Sequence, residues 1–193
     1  TKLRQICCDP HLHYEDYKAG SAKLDTCMEL VHGALDGGHR ILLFSQFTGM
    51  LDIIGKRLAK EDIAFLKLTG ASSKESRAKM VAQFQAGEVP VFLISLKAGG
   101  VGLNLTAADV VIHYDPWWNV AAQDQATDRA HRIGQQHTVT VYKLIAKDTI
   151  EERIMQMQES KRDLVNSVLG GDGISSALFT REDVLALLGG DGR

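Results

Sequence analysis

The sequence predicts an α/β fold in which helices flank a parallel sheet. Short apolar runs rich in β-branched residues alternate with longer segments of helical periodicity, as in successive β-α-β units. Of the 193 residues, 45% are hydrophobic and 24% are charged, which is typical of a globular domain. Five runs are the predicted strands: residues 41–44, 65–68, 91–94, 110–113 and 139–142.

Helices are predicted between these strands, and capping residues mark where they begin. The predicted caps are Ser21, Thr48, the pair Ser72 and Glu75, and the pair Asp148 and Glu151. Both pairs have the spacing of a capping box, in which each residue satisfies an amide of the other. Glycines predict two helix ends, at Gly37 and at Gly87.

The composition along the chain predicts three parts. Residues 1–20 are a polar linking arm, residues 21–168 form the α/β domain, and residues 169–193 are a flexible linker with a short bracing helix, because Gly and Ser dominate after Leu169. No metal site is predicted. His11 and His13 would diverge on a helix, and the three cysteines form no Cys-x-x-Cys pair, so reduced thiols are expected.

The charge balance limits how the chain could bind nucleic acid. The 22 Lys and Arg residues stand against 24 Asp and Glu residues, so DNA contacts must come from a local patch and from backbone amides. No apolar run approaches the ~20 residues of a membrane span, and the first 20 residues lack a secretory signal. We therefore expect an intracellular protein, cytoplasmic, nucleoid-associated or nuclear, without membrane partners.

The segment at residues 124–135 contains two arginines and a glutamine at helical spacing. Gln125, Arg129 and Arg132 stand at i, i+4 and i+7, which predicts one helix face on which two guanidiniums converge. A planar, permanently charged guanidinium suits phosphate oxygens. The alternative is a solvated helix face on which Asp128 pairs with Arg132.

Polar and glycine residues follow three of the predicted strands. Lys97, Ala98 and Gly99 begin a glycine-rich loop that continues through Gly100 and Gly102. In parallel sheets ligands gather at the carboxyl ends of strands, where glycines let amides approach phosphate or sugar. A tight turn that needs glycine for its shape is the alternative.

Two further loops offer small polar groups at strand ends. Ser45 and Gln46 follow the first strand, and Thr69 and Gly70 follow the second. Hydroxyl, amide and backbone N–H groups bind phosphates without reading bases, although a simple turn explains Thr69 and Gly70 equally well. The adjacent Trp117 and Trp118 are expected to pack rather than to stack on bases.

Four ordered segments, at residues 3–12, 41–52, 95–106 and 125–135, together resemble one family. The chain resembles the second RecA-like lobe of Swi/Snf-type ATPases, the helicase-like DNA translocases of helicase superfamily two. The segment Asp115-Pro116-Trp117-Trp118-Asn119 also resembles this family, and the ending at Gln135 separates it from the RNA helicases, which usually carry an arginine there. Val120 departs from the family's usual proline, so the following helix start is less rigidly fixed.

The resemblance implies roles for the residues singled out above. Arg129 and Arg132 would be arginine fingers, with Gln125, Gly100, Gly102 and Asn104 near the nucleotide. Two partners are implied: the backbone of double-stranded DNA, and a first RecA-like lobe that makes most of the contacts to ATP and its Mg²⁺. Whether a DNA-bound target protein is a third partner stays open. The residues implied to track DNA are Ser45, Gln46, Thr69, Gly70, Lys97, Ala98 and Gly99.

These 193 residues contain no complete phosphoryl-transfer site. Gly49 and Gly55 are separated by five residues, Arg57 replaces the Ser or Thr of a phosphate loop, and there is no Asp-Glu dipeptide. We therefore expect the chain to act as part of a two-lobed DNA-dependent ATPase and to be inactive alone. A catalytically silent docking lobe is the alternative. An oxidoreductase is not expected, because no Gly-x-Gly-x-x-Gly follows the first strand.

Overall fold

A computed structural model describes residues 1–14, 16–99, 103–117, 119–131, 135 and 137–169; for Lys97, Gly99 and residues 161–169 it describes the backbone only. The described strands are β1 (Ile41–Ser45), β2 (Phe65–Leu68), β3 (Val91–Ser95), β4 (Val110–His113) and β5 (Thr140–Lys143). The helices are α1 (Lys2–Cys8), α2 (Ala22–Asp36), α3 (Thr48–Lys60), α4 (Lys74–Ala86), α5 (Leu96–Gly99), α6 (Val120–Thr127) and α7 (Ile150–Leu169), with a 3₁₀ turn at Pro10–Leu12.

The five strands form one parallel sheet in the order β2-β3-β1-β4-β5. All five predicted strands are confirmed, and so is the fold class. Each central strand is buried on both faces, since β1 sends Ile41 and Leu43 into one apolar cluster and Leu42 and Phe44 into the other. This continuous apolar pattern is what a sheet covered by helices on both sides requires.

The predicted helix boundaries are correct in part. Ser21 caps α2, because its hydroxyl accepts the N–H of Leu24, and Gly87 ends α4 at φ +79°. A Cβ atom at Gly87 would meet the end of the flexible Arg40 side chain, which can move aside, so it is the left-handed turn that requires glycine here.

The predicted caps of α3 and α4 are wrong. Helix α3 begins at Thr48, which leaves Phe47 at the cap position with no side-chain bond. Ser73, rather than Ser72, caps α4 and accepts the N–H of Ser76. Ser72 instead accepts the N–H of Thr69 and stabilises the preceding turn. At α3 the first amides of the helix bond to the Phe47 carbonyl instead, and at α4 the Ser72 hydroxyl is used in the preceding turn.

The fourth helix start also differs from its predicted capping box. Thr149 provides the hydroxyl at the start of α7 and accepts the N–H of Glu151, while Asp148 adopts a left-handed conformation at φ +57°. Glu151 is fully buried and is used elsewhere: it accepts from Ala146 N–H at 2.9 Å and pairs with Lys23 of α2 at 2.5 Å. A tertiary ion pair has therefore displaced the local cap.

The predicted linking arm is packed onto the domain. Arg4 and Cys8 of α1 are buried, and the Tyr114 hydroxyl donates to the Cys8 carbonyl at 2.9 Å. A connection from this helix to another lobe stays a prediction. Residues 169–193 lie outside the described residues, apart from Leu169 at the end of α7.

The three cysteines are free thiols, as predicted. Cys8 and Cys27 are fully buried, and burial raises the pKa of Cys27 to about 12. None of the described helices is long and apolar enough to cross a membrane.

Candidate nucleic-acid and nucleotide interface

The residues predicted to contact DNA lie at one edge of the sheet. Strands β2, β3 and β1 are neighbours and run in parallel, so the loops that follow them emerge side by side. Gly70 is exposed, and Thr69 and Gln46 are half-buried. The structure thus brings three separate predicted segments into one row at the carboxyl edge, where ligand sites of parallel sheets form.

Asp115, a residue that we did not single out for function, organises one part of this edge. It follows β4 and is 1% exposed. Its carboxylate accepts from the Ser45 hydroxyl and from the Gln46 side-chain amide, both at 2.5 Å. Burial raises the pKa of Asp115, and these two hydrogen bonds oppose the rise. The signal in the sequence is an acidic residue directly after an apolar strand.

The hydroxyl of Ser45 therefore already makes a hydrogen bond within the domain. Ser45 is fully buried and its hydroxyl donates to Asp115, so its side chain supports the loop from within. Gln46 is only half-buried and lies at the surface of the same loop. Of this pair, only Gln46 has an exposed part that an approaching phosphate could reach, because the N–H groups of Gln46 and Phe47 already donate to Asp115 and Ser45.

The short helix α5 forms the middle of the row. Ala98 is buried; its N–H donates to the Ser95 hydroxyl at 3.3 Å and its carbonyl accepts from Arg77 at 2.8 Å. Arg77 of α4 is half-buried and adds a cation that the sequence interpretation missed. Gly100 and Gly102 lie outside the described residues.

The prediction that Gln125 and Arg129 share one helix face is wrong, because α6 ends before Arg129. Its last residue is Thr127, with Asp128 at the C-cap. The N–H groups of Arg129 and Ala130 then bond to carbonyls three residues back, at 3.2 and 3.0 Å, which tightens the chain into a turn. Arg132 lies outside the described residues.

Arg129 and Gln125 consequently occupy different environments. Gln125 is exposed on α6, whereas Arg129 is 2% exposed. The Arg129 carbonyl accepts the N–H of Leu105 at 3.0 Å, which joins the arginine segment to the chain that leads into β4. Asn104, the residue before Leu105, is exposed, so the structure brings this predicted nucleotide contact close to Arg129.

The start of α6 is well fixed despite the absence of proline at Val120. The Asn119 side chain accepts the N–H of Ala122 at 3.3 Å, which caps the helix. Trp117 is half-buried against the second apolar cluster, and its N–H donates to the Gln123 side chain at 3.2 Å. Packing is the role expected for this tryptophan; Trp118 lies outside the described residues.

The site residues therefore fall into two groups. The residues predicted to contact DNA lie at the carboxyl edge of the sheet, beside Asp115, and the arginine segment follows α6, beside the chain that enters β4. The two groups are neighbours, because Ala98 of α5 belongs to the same apolar cluster as Ala126 and Ala130. The loops offer polar groups that suit phosphate oxygens, and the arginine segment adds a cation.

Three comparisons with known proteins agree with this architecture. Residues 22–134 match the helicase conserved C-terminal domain. An uncharacterised ATP-dependent helicase of Mycoplasma pneumoniae is 44% identical over 187 residues, which cover 96% of this chain and 18% of that protein. The human chromatin-remodelling ATPase INO80 is 44% identical over 152 residues, which cover 78% of this chain and 10% of that protein.

A solved structure matches as well. The Sulfolobus solfataricus SWI2/SNF2 ATPase core in complex with double-stranded DNA superposes with a TM-score of 0.73 at 39% identity, covering 87% of this chain and 36% of that one. The chain thus spans about a fifth or less of the curated relatives quoted above and about a third of this solved core.

Proposed function

The chain belongs to the helicase C-terminal domain family, as the second RecA-like lobe of a Swi2/Snf2-type ATPase, and from that premise we propose that it is the DNA-tracking and arginine-supplying half of an ATP-driven double-stranded DNA translocase. The observation that carries the proposal is the row of loops after β2, β3 and β1. Such a row of backbone amides and small polar groups suits contacts to a phosphate backbone, which position a protein without reading sequence.

The DNA contacts that we propose come from the accessible members of this row. Gln46, Thr69, Gly70 and the α5 backbone would touch one strand, with Ser45 holding the loop from within through Asp115. Binding should be indifferent to sequence and should weaken steeply with salt, because the net charge of −2 leaves only local phosphate contacts.

The catalytic role that we propose rests on the two arginines. Arg132 would act as the arginine finger, and Arg129 would serve both as a second cation and as an anchor, because its burial leaves it little freedom to reach outward. A guanidinium placed against the transferring phosphoryl group stabilises the charge that develops there.

The nucleotide would be held between this lobe and the first. The exposed amides of Asn104 and Gln125 fit hydrogen bonding to sugar or phosphate, and the glycines at 100 and 102 would complete the contact. ATP supplies the γ-phosphoryl group, and Mg²⁺ would be held by the first lobe. The residues of this chain would bind and orient the nucleotide and would neutralise charge on its phosphates.

The DNA surface can be tested with one added charge. A Cβ at Gly70 meets nothing within 4 Å, so Gly70→Glu should fold and place a carboxylate in the row. We expect DNA affinity of the complete two-lobed protein to fall about tenfold at low salt, with the loss shrinking as salt rises. Gly33→Glu is the matched control, since Gly33 on the exposed side of α2 is equally open. Equal affinity of the two variants would reject this surface.

The finger is tested by ATP turnover in the same protein. Arg132→Ala should lower the maximal DNA-stimulated rate by about 10²-fold or more with nearly unchanged ATP affinity. Arg132→Lys should not rescue, because an ammonium lacks the planar fork. Arg57→Ala, at a half-buried arginine paired with Glu61, is the control. Normal turnover in a folded Arg132→Ala protein would instead favour a catalytically silent docking lobe.

A further inference from the structure

The turn at residues 105–108 is held by groups from three other parts of the domain. Leu105 N–H donates to the Arg129 carbonyl at 3.0 Å, and Ala107 N–H donates to the side chain of Gln85 at 2.8 Å. The carbonyls of Thr106 and Ala108 accept from Gln135. The backbone of this turn therefore joins α4, the arginine segment and the residues after it.

Gln135 is placed at the centre of this arrangement. Its side-chain nitrogen donates to the carbonyls of Ala108 at 2.7 Å and of Thr106 and Ala130 at 3.1 Å each. Its side-chain oxygen accepts the N–H of His137 at 2.9 Å. All four contacts agree with one orientation of the amide, since the reverse orientation would set an oxygen against three carbonyl oxygens.

The contacts of Gln135 differ from those of Gln85 in one respect. Gln85 holds the same turn through Ala107 N–H and the Thr106 hydroxyl, and among the described residues both of its hydrogen bonds go to the turn. Gln135 also binds the carbonyl of Ala130, the residue next to Arg129. It therefore links the turn to the arginine segment, which Gln85 does not.

We propose that Gln135 is a positioning residue that holds the segment beginning at Arg129 against the turn at residues 105–108, so that the arginines are correctly placed when the lobes close. This inference rests on the proposed function of those arginines. Gln135 acts through donors that face three carbonyls, so a side chain of similar length without donors should loosen the segment. A displacement of about 1 Å at a catalytic group costs up to about 10²-fold in rate.

The first experiment compares Gln135→Met with Gln85→Met in the complete two-lobed protein. We expect Gln135→Met to lower the DNA-stimulated kcat about tenfold with KM for ATP within about twofold of the parent value, since positioning affects the transition state more than nucleotide binding. Gln85→Met should lower kcat much less than Gln135→Met, because Gln85 holds the turn but makes no bond to the arginine segment among the described residues. Normal kcat in a folded Gln135→Met protein, or an equal loss in Gln85→Met, would overturn the proposal.

A second variant decides the matter if Gln135→Met does not fold. Gln135→Glu has the same shape, but its ionised carboxylate cannot donate; once protonated, it can donate one hydrogen bond. At pH 7 to 8, well above the ordinary glutamate pKa of about 4.3, this carboxylate is ionised, so kcat should fall about tenfold, as in Gln135→Met. A kcat equal to that of the parent in a folded Gln135→Glu protein would show that the donors are not what matters.

A double-mutant cycle separates this inference from the function on which it rests. If Gln135 acts through the arginine segment, Gln135→Met should cost less than about twofold in the Arg132→Ala background, because the interaction it supports is already lost. Two independent, multiplying losses would overturn the inference. Full activity of Arg132→Ala would instead defeat the proposed function itself.

Discussion

The burial of His113 should make the stability of the domain depend on pH. This imidazole is fully buried at the end of β4 and is stacked on Phe44 with ring centroids 5.4 Å apart. Burial, and to a smaller extent the charge of Lys143, lower the pKa of His113 from its ordinary value of 6.5 to about 3. Between about pH 6.5 and pH 3, the imidazole therefore takes up a proton in the unfolded chain but stays neutral in the folded protein.

The direction follows from proton uptake. As the pH falls below 6.5, the unfolded state binds a proton at this residue and the folded state does not, so unfolding becomes more favourable until the folded pKa near 3 is reached. One pKa unit corresponds to 1.36 kcal/mol, so His113 alone lowers the free energy of unfolding by about 2 kcal/mol between pH 7 and pH 5. This figure depends on the unfolded value, because the folded pKa lies well below pH 5.

Urea denaturation of His113→Gln and of the parent at pH 7, 6 and 5 measures the effect. The glutamine keeps an amide near the Thr127 hydroxyl, which the imidazole contacts at 2.9 Å. The parent should lose about 2 kcal/mol more than the variant over this range. Taking the difference cancels other groups, including Asp115, whose raised pKa acts in the opposite direction. His13→Gln, at an exposed histidine, controls for the exchange. Identical slopes for the parent and His113→Gln would refute the reasoning.

Two further predictions concern stability. Lys23→Met should lower the free energy of unfolding by about 3 kcal/mol, because it leaves the fully buried Glu151 without its ion-pair partner. Lys67→Met, in the exposed pair with Asp52, should cost under about 1 kcal/mol, and similar losses in thermal or urea unfolding would contradict the burial argument. Ser73→Ala should cost about 1 kcal/mol through loss of the α4 cap. Thr48→Ala should leave the free energy of unfolding almost unchanged, because that hydroxyl makes no cap bond. A larger loss for Thr48→Ala than for Ser73→Ala would instead favour Thr48 as a cap.

The sheet could be predicted from the sequence because its signal is local. The central strands are short runs of apolar residues such as Val91–Ser95, in which every residue is buried. Because the strands are parallel, their carboxyl ends lie at one edge of the sheet. The sequence alone therefore predicts that Thr69, Ser45 and the α5 segment share that edge.

The errors arise where tertiary contacts outweigh local spacing. Glu151 has the spacing of a capping residue, but pairing with Lys23 across α2 and α7 uses its carboxylate. The helical spacing of Gln125 and Arg129 is genuine, yet the Leu105 N–H takes the Arg129 carbonyl and the helix ends first. Asp115 was overlooked as a functional residue because its partners, Ser45 and Gln46, are about 70 residues away.

The early end of α6 changes how DNA and nucleotide could be coupled. At its start, Gln123 accepts from Trp117 N–H, close to Asp115 and the DNA edge. At its end, Thr127 contacts His113 and the next turn binds Leu105. A short helix held at both ends moves as a rigid body. We therefore expect a shift at the DNA edge to reach Arg129 because α6 is displaced, and not because Gln125 and Arg129 turn together on one helix face. Looser contacts along α6 should then lower the DNA-stimulated part of the ATPase rate more than the basal part.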